Sequence, residues 1–324
     1  MNSAIRIHQY GGPEVLTLET VAVGEPAAGE VRVRHRAIGL NFIDVYQRSG
    51  LYPLGAFPQT LGMEAAGVIE AVGPNVEGFA AGDRVAYAMD LGAYCNERTM
   101  GVDKLVKLPD GIEDQAAAAM MLQGMTARYL LKSSYPVQAG DTILVMAAAG
   151  GVGTLLSQWA NHLGVTVIGC VGSPEKARLA REHGCHHAIL YKEEDVAVRV
   201  RDITGGAGVA AVYDSIGQAT LMASLDSLRP TGTLVSFGNA SGPITNFNIG
   251  LLAQKGSLYL QRPTLATYIR SRELLNQCAS DLFEVVQSGA VKVRVGQTYP
   301  LAETAQAHRD LEARKTTGAT VLLP

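Results

Sequence analysis

The stretch "VMAAAGGVGTLLSQWANHLG", Val145 to Gly164, crowds glycines into a turn between an apolar run and an amphipathic helix. A dinucleotide fingerprint needs small residues at three places: in the tight turn, where backbone meets pyrophosphate, and where helix packs on strand. Ala148, Gly150 and Gly153 stand at those places. Ala149, Gly150, Gly151, Val152 and Gly153 would then cradle the pyrophosphate over the helix opening at Gly151, where unpaired N–H groups and the positive dipole end converge. Glycine-rich turns also serve packing, so the surrounding pattern has to decide.

From Asp141 onward, strands and helices alternate. The runs "TILVMA", "VTVIGCV", "HAILY", "VAAVYDS", "GTLVSFG" and "GSLYLQR" read as strands. Helices are expected over Gly151–His162, from Pro174, over Glu193–Ile203 and around Ala219–Leu228. This alternation predicts βαβ units, hence an α/β fold with a doubly wound parallel sheet of Rossmann type. The first third has another texture: "GEVRVRHRAIGLN" sets Val31, Val33 and His35 against Arg32, Arg34 and Arg36, a strand with one polar face. Short strands around the turns Gly73-Pro74-Asn75 and Gly82-Asp83 complete a small β-rich domain. After about Thr264 come a long helical pattern and two strand-like pieces, "VKVRVGQTYPL" and "GATVLLP", whose mixed character suggests a return to the first domain. The expected division is therefore 1–125, 126–263 and 264–324.

Composition agrees with two domains, since 324 residues exceed a comfortable single core. With 47% hydrophobic and 18% charged residues the chain reads as an ordinary soluble protein, and a net charge of -3 offers nucleic acid no general attraction. No run approaches the ~20 apolar residues of a membrane span, and "MNSAIRIHQYGG" lacks a signal-peptide layout, so a cytoplasmic protein is expected. Cys95, Cys170, Cys185 and Cys278 have no paired spacing and read as buried, unbridged thiols. Cys185 with His186 and His187 invites a metal reading, but adjacent histidines on a strand face opposite ways.

The end of the second strand decides which nucleotide fits. NAD sites place an acid there to bond the ribose 2′-hydroxyl. Val171, Gly172 and Ser173 stand there instead. Ser173 offers a hydrogen bond to a 2′-phosphate and Lys176 a charge. At about 1.5 to 3 kcal/mol each, two such bonds favour NADPH over NADH by roughly 10² to 10⁴.

The stretch "GDTILVMAAAGGVGTLLSQWAN", together with "GGPEVL", "NFIDVYQRSGLYP", "GAYCNERT", "VYDSIG", "VSFGNASG" and "KGSLYLQRP", resembles the quinone oxidoreductase (ζ-crystallin) branch of the medium-chain dehydrogenase/reductase superfamily along the whole chain. It departs at Asn161, where a basic residue or serine is usual. The resemblance implies a GroES-like catalytic domain built from both chain ends, a nucleotide domain between them, and a cleft at their junction. Zinc members of the superfamily hold the metal through a Cys and a Gly-His-Glu segment; Asn41 and Met63 stand in those places here, so no metal is expected.

Without zinc, alcohol oxidation is hard and quinone reduction is easier, so the resemblance implies NADPH-dependent reduction of a small quinone. By similarity, Asn41, Tyr46 and Tyr52 line the substrate side of the nicotinamide; a tyrosine stays a donor at pH 7, and its flat ring suits a flat substrate. Further cofactor contacts implied by resemblance are Thr126, Tyr191, Ser215, Gly217, Phe237, Gly238, Asn239, Arg262 and Arg314. The sheet edge at "SLYLQR" suggests a homodimer. Two other readings stay open: an enal or enone reductase, and an NADPH-binding protein without catalysis.

Overall fold

A computed structural model describes residues 2–324, which divide into two units. One comprises 2–125, Ile269–Phe283 and Val293–Pro324; the other comprises Thr126–Tyr268 and Glu284–Lys292. The chain first changes unit within the helix Met121–Tyr129.

The second unit is a six-stranded parallel sheet. Its spatial order is His187–Leu190, Thr166–Val171, Thr142–Met146, Val209–Asp214, Leu228–Ser236 and Tyr259–Gln261. In chain order this is 3-2-1-4-5-6, the doubly wound arrangement, whose order reverses between Thr142–Met146 and Val209–Asp214. Strands covered on both faces must be apolar almost throughout, and every residue of Val209–Asp214 is buried. Leu144, Ile168, Ile189, Val212 and Leu234 join five of the strands in one core.

The helices fall where the alternation predicts, with one shift. The helix expected from Glu193 starts at Val196, because the Asp195 carboxylate accepts the Val198 N–H and caps it there. Ser173 caps Pro174–Glu182 in the same way, accepting the Lys176 N–H at 3.3 Å. At the sheet edge Leu258 turns into the core, while Tyr259 and Leu260 are 64% and 37% exposed. Residues Glu284–Lys292 return to this unit, and Lys292 exchanges two bonds with the Gln158 side chain, at 2.9 and 3.1 Å.

The spine of the first unit is Glu30–Leu40, which buries Val31, Val33 and His35 and exposes Arg34 and Arg36. It pairs with Glu64–Val72 on one side, and on the other with Glu97–Gly101 along residues 30–34 and with Ala319–Leu323 along residues 38–40. That last strand lies between the spine and Val295–Pro300, so the tail of the chain is inside the sheet. A second sheet orders Thr17–Thr20, Ser3–Ile7 and Gln59–Thr60. Ile5, Val33, Ile69, Tyr87 and Leu322 share the core. All four cysteines are buried and unbridged. Among the described residues no helix is long and apolar enough to cross a membrane.

Candidate active site

In the second unit the glycine turn sits at the carboxyl end of the first strand, where ligands bind in sheets of this topology. Ala147 takes a positive φ of 54°, and its carbonyl accepts the Gly150 N–H at 2.8 Å. A Cβ on Gly153 would run into that carbonyl and lie 2.8 Å from the Ala148 Cα, so this glycine is required for the helix to pack on the turn. At Gly150, by contrast, the nearest atom to such a Cβ is the Ala147 oxygen at 3.2 Å. The room left there, at the opening of a twelve-residue helix, fits a pyrophosphate approaching the backbone.

Tyr191, from the end of the third strand, lies over the turn that holds Ser173 and Lys176: a Cβ on Gly172 would be 2.8 Å from its hydroxyl. Sequence reasoning missed Glu175 here. Hydrogen bonding from the Ser173 hydroxyl holds the exposed Glu175 carboxyl below its usual range. That hydroxyl is thus shared with an acid in the first turn of the helix.

The fourth strand ends at Asp214, also missed, a buried carboxylate with four donors. Its Oδ1 accepts the N–H groups of Ile216 and Gly217 at 2.7 and 3.2 Å. Its Oδ2 accepts the hydroxyls of Thr220 and Ser224, each at 2.7 Å. This fixes the backbone through Ser215 and Gly217. Arg262 donates to the Ser236 and Gly238 carbonyls at 2.8 and 3.2 Å, clamping the loop that carries Phe237 and Asn239. Thr126 is buried in the helix Met121–Tyr129.

In the first unit, Asn41 caps the eight-residue helix Phe42–Ser49. Tyr46 lies on that helix, and its carbonyl accepts the Tyr52 N–H at 3.0 Å. The two rings meet edge to face with centroids 5.2 Å apart, so the sequence-predicted tyrosines form one aromatic wall. Arg314 stands elsewhere in this unit, just past the helix Thr304–Glu312, in a left-handed conformation.

Beneath Asn41 runs a buried polar chain with no sequence signal of its own beyond Asp44, three residues after the cap. The Asn41 N–H and the Tyr94 hydroxyl both donate to Asp44 Oδ2, at 2.8 and 2.7 Å. Tyr94 in turn lies 3.1 Å from His308 Nε2, and Arg48 Nη1 lies 3.1 Å from His308 Nδ1. Arginine only donates, so His308 accepts at Nδ1 and carries its proton at Nε2. Burial pushes the His308 pKa down to about 3, which keeps it neutral. Arg48 closes the chain on Glu312 with two bonds of 2.8 and 2.9 Å. Burial pushes Asp44 up to about 7.

The side chain of Asn41 is committed as well. Its Nδ2 donates to Glu64 Oε2 at 2.7 Å, and its Oδ1 accepts from Gln123 Nε2 at 3.0 Å. Zinc therefore does not fit: where superfamily zinc ligands would stand, this chain offers a doubly bonded amide and a Met63 thioether that faces the Gln47 amide at 3.2 Å. The Cys185 region offers no metal set either, since the thiol is buried and His186 Nδ1 accepts the Val167 N–H.

Comparison with known proteins gives two family matches, the alcohol dehydrogenase GroES-like domain over residues 27–137 and the zinc-binding dehydrogenase family over residues 151–282. A quinone oxidoreductase of Pseudomonas aeruginosa is 54% identical, with all of both chains covered. A 2-haloacrylate reductase of Burkholderia is 46% identical, covering 100% of this chain and 99% of its own. The crystal structure of Escherichia coli quinone oxidoreductase complexed with NADPH superposes with a TM-score of 0.98 at 46% identity, covering 99% of this chain and all of that one.

Proposed function

Because the chain belongs to the quinone oxidoreductase branch of the medium-chain dehydrogenase/reductase superfamily, and is an oxidoreductase that uses NADPH, we propose that it reduces quinones without a metal. The observation that carries this reading is the wall of Tyr46 and Tyr52 beside an Asn41 whose amide is held rather than coordinating. Bound NADPH supplies the hydride. The chain's own part is position and polarity. The Gly150 turn and the helix N-terminus hold the pyrophosphate, with Thr126 and the loops at Ser215, Gly217, Phe237, Gly238 and Asn239 as further contacts. Ser173, Lys176 and Tyr191 meet the 2′-phosphate, while Arg262 supports the loop at Gly238. Asn41 meets the nicotinamide end, and the tyrosine rings stack on a flat acceptor and donate O–H to its oxygen. Arg314 is a further proposed cofactor contact, carried by resemblance to the family.

The match to 2-haloacrylate reductase favours one alternative, reduction of a C=C bond conjugated to a carbonyl. Both need a hydride donor facing an electron-poor acceptor. We further propose a cytoplasmic homodimer paired through the exposed edge at Tyr259 and Leu260; light scattering should give twice the chain mass for the wild type and the single-chain mass for Leu260→Lys.

The test mixes EDTA-treated protein with NADPH or NADH and follows absorbance on adding 1,4-benzoquinone, a naphthoquinone, or an α,β-unsaturated carbonyl. Turnover fastest with quinone and NADPH supports the reading. Turnover with the enone alone replaces it by the alternative.

A further inference from the structure

Glu64 is wholly buried at the start of the strand Glu64–Val72, and the fold makes room for it. A Cβ on Gly39 of the neighbouring strand would run into the Glu64 carboxylate and the Ala118 carbonyl. Glu64 Oε1 accepts the Leu122 N–H at 2.7 Å, and Oε2 faces the Asn41 amide. An ionised carboxylate only accepts, so Asn41 must turn its NH₂ toward Glu64 and its oxygen toward Gln123. Gln123 must then turn its own NH₂ toward Asn41. The orientation of both amides follows from the charge at one end, whatever N and O labels are assigned. What remains is Gln123 Oε1, a buried acceptor without a partner on a residue only 7% exposed. Buried acceptors are rarely left so unless a donor arrives.

We propose that Glu64 is a positioning residue whose charge sets the polarity of the Asn41–Gln123 ladder, and that Gln123 Oε1 is a binding group for an N–H or O–H donor on the nicotinamide half of the cofactor. The inference rests on the proposed contact of Asn41 with that half. When Glu64 is protonated or replaced by Gln, it donates to Asn41 Oδ1, both amides turn over, and Gln123 presents NH₂ in place of its oxygen. The same ligand donor then meets a donor.

Burial pushes Glu64 up to about 8, with the neighbouring Asp44 of the helix Phe42–Ser49 adding to the rise and the Asn41 and Leu122 donors opposing it. Tyr94 is the other titratable group near this pair, and burial keeps it far above neutral pH. The spine contributes Gly39, and the strand Arg84–Ala88 sets Ala88 opposite Glu64, so neither adds charge there.

The experiment measures NADPH dissociation constants by calorimetry at pH 7 and pH 9 for the wild type, Glu64→Gln and Gln123→Met. The wild type should bind about tenfold tighter at pH 9, as the competent fraction rises from about a tenth to nearly one. Glu64→Gln should be weaker at pH 9 by about 5- to 150-fold, the cost of an unmatched buried polar group, and flat with pH. Gln123→Met leaves the Glu64 site folded and should show the same loss of pH dependence. The 3-acetylpyridine analogue, which lacks the carboxamide N–H, separates the two donor sources: discrimination by the wild type alone assigns the carboxamide, and equal loss of both cofactors in Glu64→Gln assigns a ribose hydroxyl. Wild-type affinity and pH dependence in both variants would overturn the proposal. Binding is read without turnover, so failure to reduce quinones sinks the quinone reading and leaves this one standing.

Discussion

Replacing Tyr94 by Phe removes one hydroxyl and tests the buried chain beneath Asn41. That hydroxyl donates to Asp44 Oδ2 at 2.7 Å and accepts from His308 Nε2 at 3.1 Å. Its loss leaves a buried imidazole N–H without an acceptor, which costs about 1 to 3 kcal/mol. Asp44 keeps the Asn41 N–H as its donor, since Oδ1 has no partner, and the lost bond to a charged group is worth about 1.5 to 3 kcal/mol. The two effects overlap, and a total of roughly 2 to 5 kcal/mol is expected. It should also depend on pH. Burial raises Asp44 to about 7, and bonds from Asn41 and Tyr94 restrain that rise. Removing Tyr94 lifts the folded pKa further above the unfolded value, so the stability lost as pH rises continues past 7. The deficit at pH 9 should therefore exceed that at pH 6 by about 1.3 kcal/mol for each tenfold weakening of the Asp44 acid. Urea unfolding followed by circular dichroism, on wild type, Tyr94→Phe, Asp44→Asn and the double variant, measures both the loss and the coupling. A loss below about 0.5 kcal/mol at both pH values, or zero coupling between Tyr94 and Asp44, would refute the reasoning.

Burial pushes Glu64 up to about 8, well above the usual carboxylate range, so near neutral pH it carries a proton in the native state that the unfolded chain has released. Stability should fall through that window, by about 2 kcal/mol between pH 6.5 and 8, and Glu64→Gln should flatten the fall in urea unfolding at those two pH values. Lys176→Ala should lower the kcat/KM preference for NADPH over NADH by about 10-fold or more, and an unchanged ratio would remove Lys176 from the phosphate site. Glu175→Gln should raise the same ratio by about 2- to 5-fold, since it removes a negative charge and releases the Ser173 hydroxyl. Gly153→Val should abolish NADPH binding in calorimetry, because its side chain would have to displace the Ala147 and Ala148 backbone.

The second unit was legible because its signals are local. Most strands are short apolar runs, the helices Pro174–Glu182 and Val196–Ile203 have their caps Ser173 and Asp195 immediately before them, and Ala148, Gly150 and Gly153 lie in six consecutive positions. The wall of Tyr46 and Tyr52 was legible for the same reason, the partners being six residues apart on a helix and its exit turn. The chain from Asp44 through Tyr94, His308 and Arg48 to Glu312 was not, because its members come together only after strands far apart in sequence have paired. Glu64 and Gln123 lie 23 and 82 residues from Asn41, and nothing in a single sequence marks such a spacing. Glu175 was visible but unweighed; the residue order shows it two positions after Ser173, whereas only the folded turn shows that they share a proton.

The place of Ala319–Leu323 has a consequence for the chain as it leaves the ribosome. This strand is interior to the first unit's sheet, between Glu30–Leu40 and Val295–Pro300. The spine is among the earliest segments made, yet on the side where Glu97–Gly101 covers residues 30–34, residues 38–40 stay unpaired until Ala319–Leu323 has emerged. The second unit, by contrast, has all its residues by Lys292. Domains ordinarily fold in order of synthesis, N-terminal first. Here the nucleotide-binding half completes before the half that begins the chain, and for that interval the open edge at residues 38–40 needs protection from other nascent strands.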